Sequence, residues 1–246
     1  MTLDKTGLNV THTIVESLGK SIVAGAYKDN RFPIEAELCC QFNASRSVVR
    51  EAIKMLTAKG LVKSRPRQGT WIQQEPYWNF LDKDVLSWLL KGDFSYDLMI
   101  EFIQYRRAIE PQAAELAISN ARPSDLEEVQ KALAQMEAAE AGNDDPLVSD
   151  INFHVAILKA TNNRFMIQNK ELVETALQFS IKLTNQTKGV RNADLAAHKA
   201  ISDAIIAGDV AKARAATMAI LDEALALIKK LHTDQGNKLL VPTTRQ

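Results

Sequence analysis

Beyond Ile72 no stretch of this sequence alternates apolar and polar residues; its apolar positions recur instead at intervals of three and four. That period buries one stripe of a helix, whereas a half-buried strand needs a period of two. Strand signals are confined to one short run. Leu61-Val62-Lys63-Ser64-Arg65, a Pro66-Arg67-Gln68-Gly69 turn and Thr70-Trp71-Ile72 read as a β-hairpin by alternation and turn chemistry. The chain is therefore expected to be mainly α-helical, with a single small hairpin near its N-terminal end.

The breaks in the helical pattern set the element order. A first helix is expected over 10–24, with Ile14, Leu18, Ile22 and Val23 on one stripe and Gly25 placed to end it. A short second helix begins near Pro33, where an N-terminal proline is tolerated, and runs through Phe42. Asn43 accepts the left-handed turn conformation, Ser45 is a candidate cap for a third helix, and Gly60 stops it. Helix, helix, turn, helix, hairpin is the order of a winged helix-turn-helix, assigned to 9–76. A linker and interdomain helix follow at 77–95. An all-helical bundle of six to seven helices is expected at 96–232, with helices near 96–120, 124–141, 146–160, 164–186, 193–207 and 210–232. Residues 233–246 read as a polar, disordered tail.

The 246 residues carry no net charge, but the charge is unevenly placed. Up to Gln74 there are 11 basic and 6 acidic residues, a surplus of +5 that the remainder balances with −5. A basic segment joined to an acidic one points to nucleic acid at one end only. Cys39 and Cys40 are adjacent and form neither a disulfide framework nor a zinc motif. With no leader and no membrane-length apolar run, a cytoplasmic protein with no membrane partner is expected.

On the third helix, Val49, Ile53 and Leu56 form the inward stripe, with Val48 and Ala52 beside it. Arg46, Ser47, Arg50 and Lys54 turn outward, Arg46 and Arg50 lying four apart on one face of the N-terminal half. A recognition helix enters the major groove of double-stranded DNA with that half. The planar fork of arginine matches guanine O6 and N7, worth about 1–3 kcal/mol of discrimination per good pair. Lys63, Arg65 and Arg67 on the hairpin would meet phosphates or the minor groove. Taken without its context, the same pattern would be a solvated helix face.

The context is a resemblance. Phe32-Pro-Ile-Glu-Ala-Glu-Leu38, then Ser45-Arg46 through Val49-Arg50-Glu51-Ala52-Ile53 to Gly60-Leu61-Val62, then Arg67-Gln68-Gly69 to Ile72, resemble the DNA-binding domain of the GntR family of bacterial regulators. The resemblance implies that Arg46 and Arg50 contact DNA and that Gln68 and Gly69 form the wing tip. Ala36 stands where many members carry a DNA-contacting arginine, Phe32 replaces a usual leucine and Asn43 a usual glycine.

The helical remainder resembles the FCD domain of the FadR-like subgroup, through Arg106 to Glu110 and onward, Asp150 to His154, Thr161 to Phe165, and His198 to Asp209. The resemblance implies a divalent metal at the floor of a helical cavity, with Asp150, His154 and His198 as ligands and a fourth position at Ile220, which cannot ligate. Spacing agrees on placement. Asp150 and His154 share a helical face with Ile151, Ile157 and Leu158, and His198 lies on a stripe with Leu195, Ile201 and Ile205. One carboxylate and two imidazoles suit zinc, nickel or manganese equally; the same residues also read as buried histidines hydrogen-bonded without any metal. Arg106 lies on the apolar stripe of Phe102, Ile103, Ile109 and Ala113, so it needs an anionic partner. That partner is either an internal carboxylate or the carboxylate of an effector, which a guanidinium binds through two hydrogen bonds. Asn185, Gln186 and Thr187 are candidates for hydroxyl recognition. Residues 77–86 resemble the interdomain helix of regulators of aldonate catabolism, which suggests a sugar acid.

The expectation is a DNA-binding transcription regulator, a repressor released by a small carboxylate, acting as a homodimer on a palindromic operator. One rival is a metal-dependent helical enzyme with an accessory DNA-binding module, in which Asp150, His154 and His198 activate water. No motif places a further general base for it. A second rival is an architectural DNA-binding protein with no effector.

Overall fold

The computed structural model describes residues 5–27, 31–65, 68–92, 95–189 and 193–240, with side chains described from residue 10 to residue 234 of these, except 186–188. The chain divides into two compact units, 1–94 and 95–246. Among the described residues the only sheet is the two-stranded hairpin; the other elements are helices, so the mainly α fold class expected from sequence is observed. No described helix is long and apolar enough to cross a membrane.

The first unit contains α1 (Lys5–Val23), α2 (Glu35–Phe42), α3 (Arg46–Ala58), β1 (Val62–Arg65), β2 (Gly69–Ile72) and α4 (Lys83–Lys91). Its core joins the stripe of α1 (Ile14, Leu18, Ile22) to that of α3 (Val49, Ala52, Ile53, Leu56), closed by Leu38, Leu61, Val62 and Ile72. Asn43 takes the left-handed conformation at the α2–α3 turn, φ 47°. Ser45 Oγ accepts from Val48 N at 3.4 Å and starts α3. The strands are antiparallel in the register Val62↔Ile72 to Arg65↔Gly69. Pro66 and Arg67 of the turn lie outside the described residues.

Gly60 ends α3 for two reasons. Its φ of +76° is a left-handed conformation, and a Cβ there would lie 2.1 Å from the Tyr77 carbonyl oxygen. The chain at 73–79 is thus folded directly over the end of α3: Gln73 N donates to Leu61 O and Asn79 N donates to Lys59 O. The segment expected at 77–95 as an interdomain helix accordingly packs as part of the first unit. Val85 and Trp88 are buried in its core, while Leu81 is 65% exposed. The physical reason is α1: its Gly19 leaves a notch that the Trp88 ring fills, and Trp88 Nε1 donates to Glu16 Oε2 at 2.8 Å.

The second unit contains α5 (Tyr96–Asn120), α6 (Pro123–Glu140), α7 (Pro146–Ala160), α8 (Arg164–Gln168), α9 (Lys170–Lys188), α10 (Leu195–Ala207) and α11 (Val210–Leu240). α5 and α11 pack along one another, α6 packs on α7, and α10 packs on α11. Asp145 and Asp194 cap α7 and α10 through their side chains.

Two expectations are corrected. The helix expected over 164–186 is interrupted at Asn169. There the side-chain amide donates to Phe165 O at 2.9 Å, while the backbone N–H bonds Met166 O instead. The side chain thus takes the carbonyl that the next helical turn would have used. Tyr105 OH, donating to Asn169 Oδ1 at 2.6 Å, holds it there. The tail read as disordered from Thr233 is helical through Leu240, with 241–246 outside the described residues. Polar residues and one glycine each cost a helix only about 1 kcal/mol or less, and propagation from an existing helix needs no new nucleus.

Gly19→Ala tests the α1–α4 packing. The added Cβ would lie 2.2 Å from the buried Trp88 ring. Overpacking costs about 1–3 kcal/mol, against a helix-propensity gain of about 1 kcal/mol. Net destabilisation of the first unit in urea unfolding is the expected result.

Candidate functional site

Two surfaces carry the residues singled out from sequence. On α3, Arg46, Ser47, Arg50 and Lys54 are all exposed, opposite the buried stripe that fixes the helix. Arg50 is not free-swinging: its Nε donates to both oxygens of Glu35 on α2, at 2.9 and 3.1 Å. This leaves the two terminal nitrogens of the guanidinium, the pair that reads guanine, beyond the contact. Lys54 Nζ lies 3.1 Å from Glu51 on its own helix, an exposed pair of small energetic weight. On the hairpin, Lys63, Arg65, Gln68 and Gly69 are exposed, and the Arg65 guanidinium lies 5.5 Å from the centre of the Trp71 ring. Arg67 is outside the described residues. Glu35 had no signal in the sequence, because its pairing spans two helices.

In the second unit, Asp150 and His154 on α7 and His198 on α10 converge, one ligand atom of each lying within 4.8 Å of the others. All three are buried. Their tautomers follow from the hydrogen bonds. His198 Nδ1 lies 2.7 Å from the Asp194 carbonyl oxygen, which can only accept, so Nδ1 carries the proton. His154 Nδ1 lies 3.0 Å from Glu110 Oε2. Both imidazoles therefore turn Nε2 toward Asp150 Oδ1, each at 3.4 Å. That separation is long for a hydrogen bond. It matches the edge of a tetrahedron whose corners stand about 2.1 Å from a zinc-sized centre.

Glu110 is the residue that sequence reasoning passed over. Arg106 is buried, and its anionic partner is internal: Nε donates to Glu110 Oε1, and Nη2 to Oε2 at 3.1 Å. Arg106 and Glu110 stand four apart on α5, so the R-x-x-x-E spacing was a usable signal. Glu110 Oε2 thus serves both Arg106 and His154. Burial raises the Glu110 pKa, but the Arg106 and His154 charges outweigh it and hold the group well below the usual carboxylate range. Burial likewise raises Asp150, and the adjoining His154 and His198 imidazoles bring it far down. Burial lowers His154, and the Glu110 charge with the nearby Asp150 carboxylate pushes it above its ordinary value, so a cation taking Nε2 would displace a proton there.

Two atoms of the triad remain unsatisfied. Asp150 Oδ1 and His198 Nε2 are buried without a hydrogen-bond partner. Buried polar atoms are rarely left so, and those that are point to a missing ion or water. Oriented imidazoles backed by a carboxylate and a carbonyl are the outer contacts that metal-binding histidines use. The residues present therefore fit a divalent cation. The adjoining cavity, about 60 Å³, is lined by Arg106, Asp150, His154, His198, Asn185 and Ile220, among others. Ile220, the residue at the position where the resemblance implies a fourth ligand, lines the cavity and offers no donor atom. The side chains of Gln186 and Thr187 are outside those described.

Both units match known families. Residues 10–72 match the gntR family of bacterial regulatory proteins, and residues 101–223 match the FCD domain. The chain is 35% identical over 216 residues to the galactonate operon transcriptional repressor of Escherichia coli (strain K12), covering 86% of this chain and 94% of that protein. It is 33% identical over 217 residues to the HTH-type transcriptional regulator YieP of the same organism, covering 87% and 93%. Among solved structures, that of Lar, described as controlling expression of the Listeria monocytogenes agr system, covers 94% of this chain and 100% of its own. At 18% identity and a TM-score of 0.56 it supports the fold alone.

Glu110→Ala would leave the Arg106 guanidinium buried and unpaired, and a broken buried pair costs about 3–5 kcal/mol. The expected outcome is a loss of that size in urea unfolding of the full chain. An Arg106→Met/Glu110→Met double variant should lose less than Glu110→Ala alone, since it removes both charges.

Proposed function

The chain belongs to the gntR family of bacterial regulatory proteins and carries an FCD domain, so it is a DNA-binding transcription regulator; from that premise we propose that it is a metal-loaded, carboxylate-responsive repressor acting as a homodimer. The observation that carries the proposal is the convergence of Asp150, His154 and His198, all buried, with two unsatisfied ligand atoms, beside Arg106 at one cavity.

On the DNA side, the exposed α3 residues Arg46, Ser47, Arg50 and Lys54 enter the major groove, and the wing residues Arg67, Gln68 and Gly69 lie along the backbone. Glu35 supports this reading by fixing the Arg50 guanidinium from behind. Two copies related by a two-fold axis read the halves of a palindromic operator.

In the second unit Asp150, His154 and His198 hold one divalent cation, zinc, nickel or manganese. Once bound, the cation supplies Lewis-acid affinity for an oxygen anion. Glu110 and the Asp194 carbonyl keep the imidazole protons on Nδ1, and so keep each Nε2 available. Charge then selects the effector. With both imidazoles neutral and a divalent cation present, the buried groups Arg106, Glu110 and Asp150 and the cation sum to one positive charge, while the exposed carboxylates of Asp194 and Glu223 also line the cavity. A monocarboxylate would neutralise the buried charge, its oxygens meeting the face of Arg106 not used by Glu110. A relative named for the galactonate operon makes sugar acids the first class to test. The cavity of about 60 Å³ has room for a few waters, and movement of its lining side chains would admit a sugar acid. Such movement is what lets a ligand favour one state of the helical unit over another.

Binding to the upstream DNA of its own gene, followed by fluorescence anisotropy, tests the reader. Arg46→Ala/Arg50→Ala is expected to abolish sequence selectivity, at about 1–3 kcal/mol per arginine–guanine contact, while weak salt-sensitive binding persists. Selectivity retained in the double variant would overturn the assignment of these readers. Elemental analysis of protein purified without chelator tests the metal. About one divalent ion per chain is expected in the wild type and a large loss in His198→Ala. A wild-type stoichiometry near zero that added metal does not raise would overturn the metal reading.

A further inference from the structure

Lys59 is a lysine where a surface lysine would be expected, at the C-terminal end of the recognition helix, yet it is only 9% exposed. Its Nζ lies 2.8 Å from each oxygen of Asp82 and 2.7 Å from Asp84 Oδ2. Three N–H bonds thus meet three carboxylate oxygens. The ammonium also stands 5.6 Å from the centre of the Trp88 ring, within cation–π range. Asp82 is the N-cap of α4, its Oδ1 accepting from Asp84 N and Val85 N. The lysine therefore joins the negative end of the α3 dipole to the acid-capped start of α4, a favourable arrangement for both helices.

Further contacts run along the same seam. Asn79 N donates to Lys59 O, Gln73 Nε2 donates to Gly60 O, and Trp78 Nε1 donates to Gln73 O. Trp88 also holds α4 to α1 through Glu16. α4 is also the last element of the first unit before the second begins at Ser95. An ordinary tether between domains would be solvated and would need neither a buried cation nor two carboxylates to meet it.

We infer that Lys59 is a positioning residue for operator reading: by clamping the start of α4 to the end of α3, it makes the recognition helix and its point of attachment one rigid piece, and so fixes the half-site spacing that the dimer accepts. The inference rests on the dimeric reading given under Proposed function. Lys59 touches no base in this scheme. It acts through the direction in which α3 is presented.

The test uses the full chain and the half-site that the wild type selects from a random duplex library. Two copies of that half-site are placed at separations changed in one-base-pair steps across a helical turn, about 10 base pairs. Wild type is expected to prefer one separation by about tenfold, within the usual range of coupling between sites. Lys59→Met keeps the apolar stem and removes the charge, and Asp82 remains as the cap of α4. Its preference should shrink to about threefold or less while affinity for a single half-site stays unchanged, and Lys59→Arg should restore it. An unchanged spacing profile in Lys59→Met, or a uniform loss of affinity at every spacing, would overturn the inference, the second marking a merely structural lysine. A flat wild-type profile from a protein with the sedimentation mass of two chains would overturn it as well. A sedimentation mass of one chain would overturn the dimeric reading itself and the inference with it. Because Asp82 keeps some burial, Asp84→Asn, which spares the cap, serves as a second variant if Lys59→Met unfolds; its spacing profile should flatten in the same direction.

Discussion

Glu110 holds two positive groups at once in the interior of the helical unit, and the arrangement of that interior follows from it. One carboxylate oxygen is shared between the Arg106 guanidinium and the His154 imidazole, the other taken by Arg106 alone. Any of these charges buried singly would be expensive, and the opposite charges beside one another are what makes them tolerable together. The sharing has a directional consequence. With the Nδ1 proton of His154 committed to Glu110, Nε2 must face Asp150, and His198 is set the same way by a backbone carbonyl. Two imidazoles from different helices are thereby aimed at one carboxylate oxygen before any ligand arrives.

The DNA-reading unit is organised around a different constraint, the close approach of backbone to backbone at Gly60. A side chain there would collide with the Tyr77 carbonyl. With none, the chain after the wing lies flat on the end of α3, which brings Asp82 and Asp84 to Lys59. What looks in sequence like a connecting helix is for that reason part of the DNA-binding unit. The recognition helix is consequently supported from three sides: by α1 along its buried stripe, by α2 through Glu35 and Arg50, and by α4 at its C-terminal end.

Family membership also decides between the rivals that the sequence left standing. A buried carboxylate with two histidines is a constellation that hydrolytic metal sites share, and chemistry alone does not separate catalysis from sensing. The match to bacterial regulatory proteins across the DNA-binding unit, and whole-length similarity to transcription regulators, place this chain among regulators rather than enzymes.

Periodicity, caps and turn residues were enough to determine most element types, the hairpin, the inward stripes and the outward face of α3, because each of these depends on neighbours within four residues; the end of α11, read as a disordered tail, was an exception. The αL turn at Asn43, the cap at Ser45 and the four-residue spacing of Asp150 and His154 belong to the same local physics. Tertiary structure alone decided the rest. The break at Asn169 is held by Tyr105, 64 residues earlier in the chain. Burial of Trp88 rests on a glycine in α1, Arg50 is held by a carboxylate on α2, and Lys59 by two on α4. A sequence shows that a buried charge must have a partner, but the identity of a partner from another helix is set by which surfaces meet, and that is settled only when the apolar stripes pack. Glu110 falls between the two cases: its spacing from Arg106 was legible, while its second contact, to His154, exists only because α5 and α7 cross there.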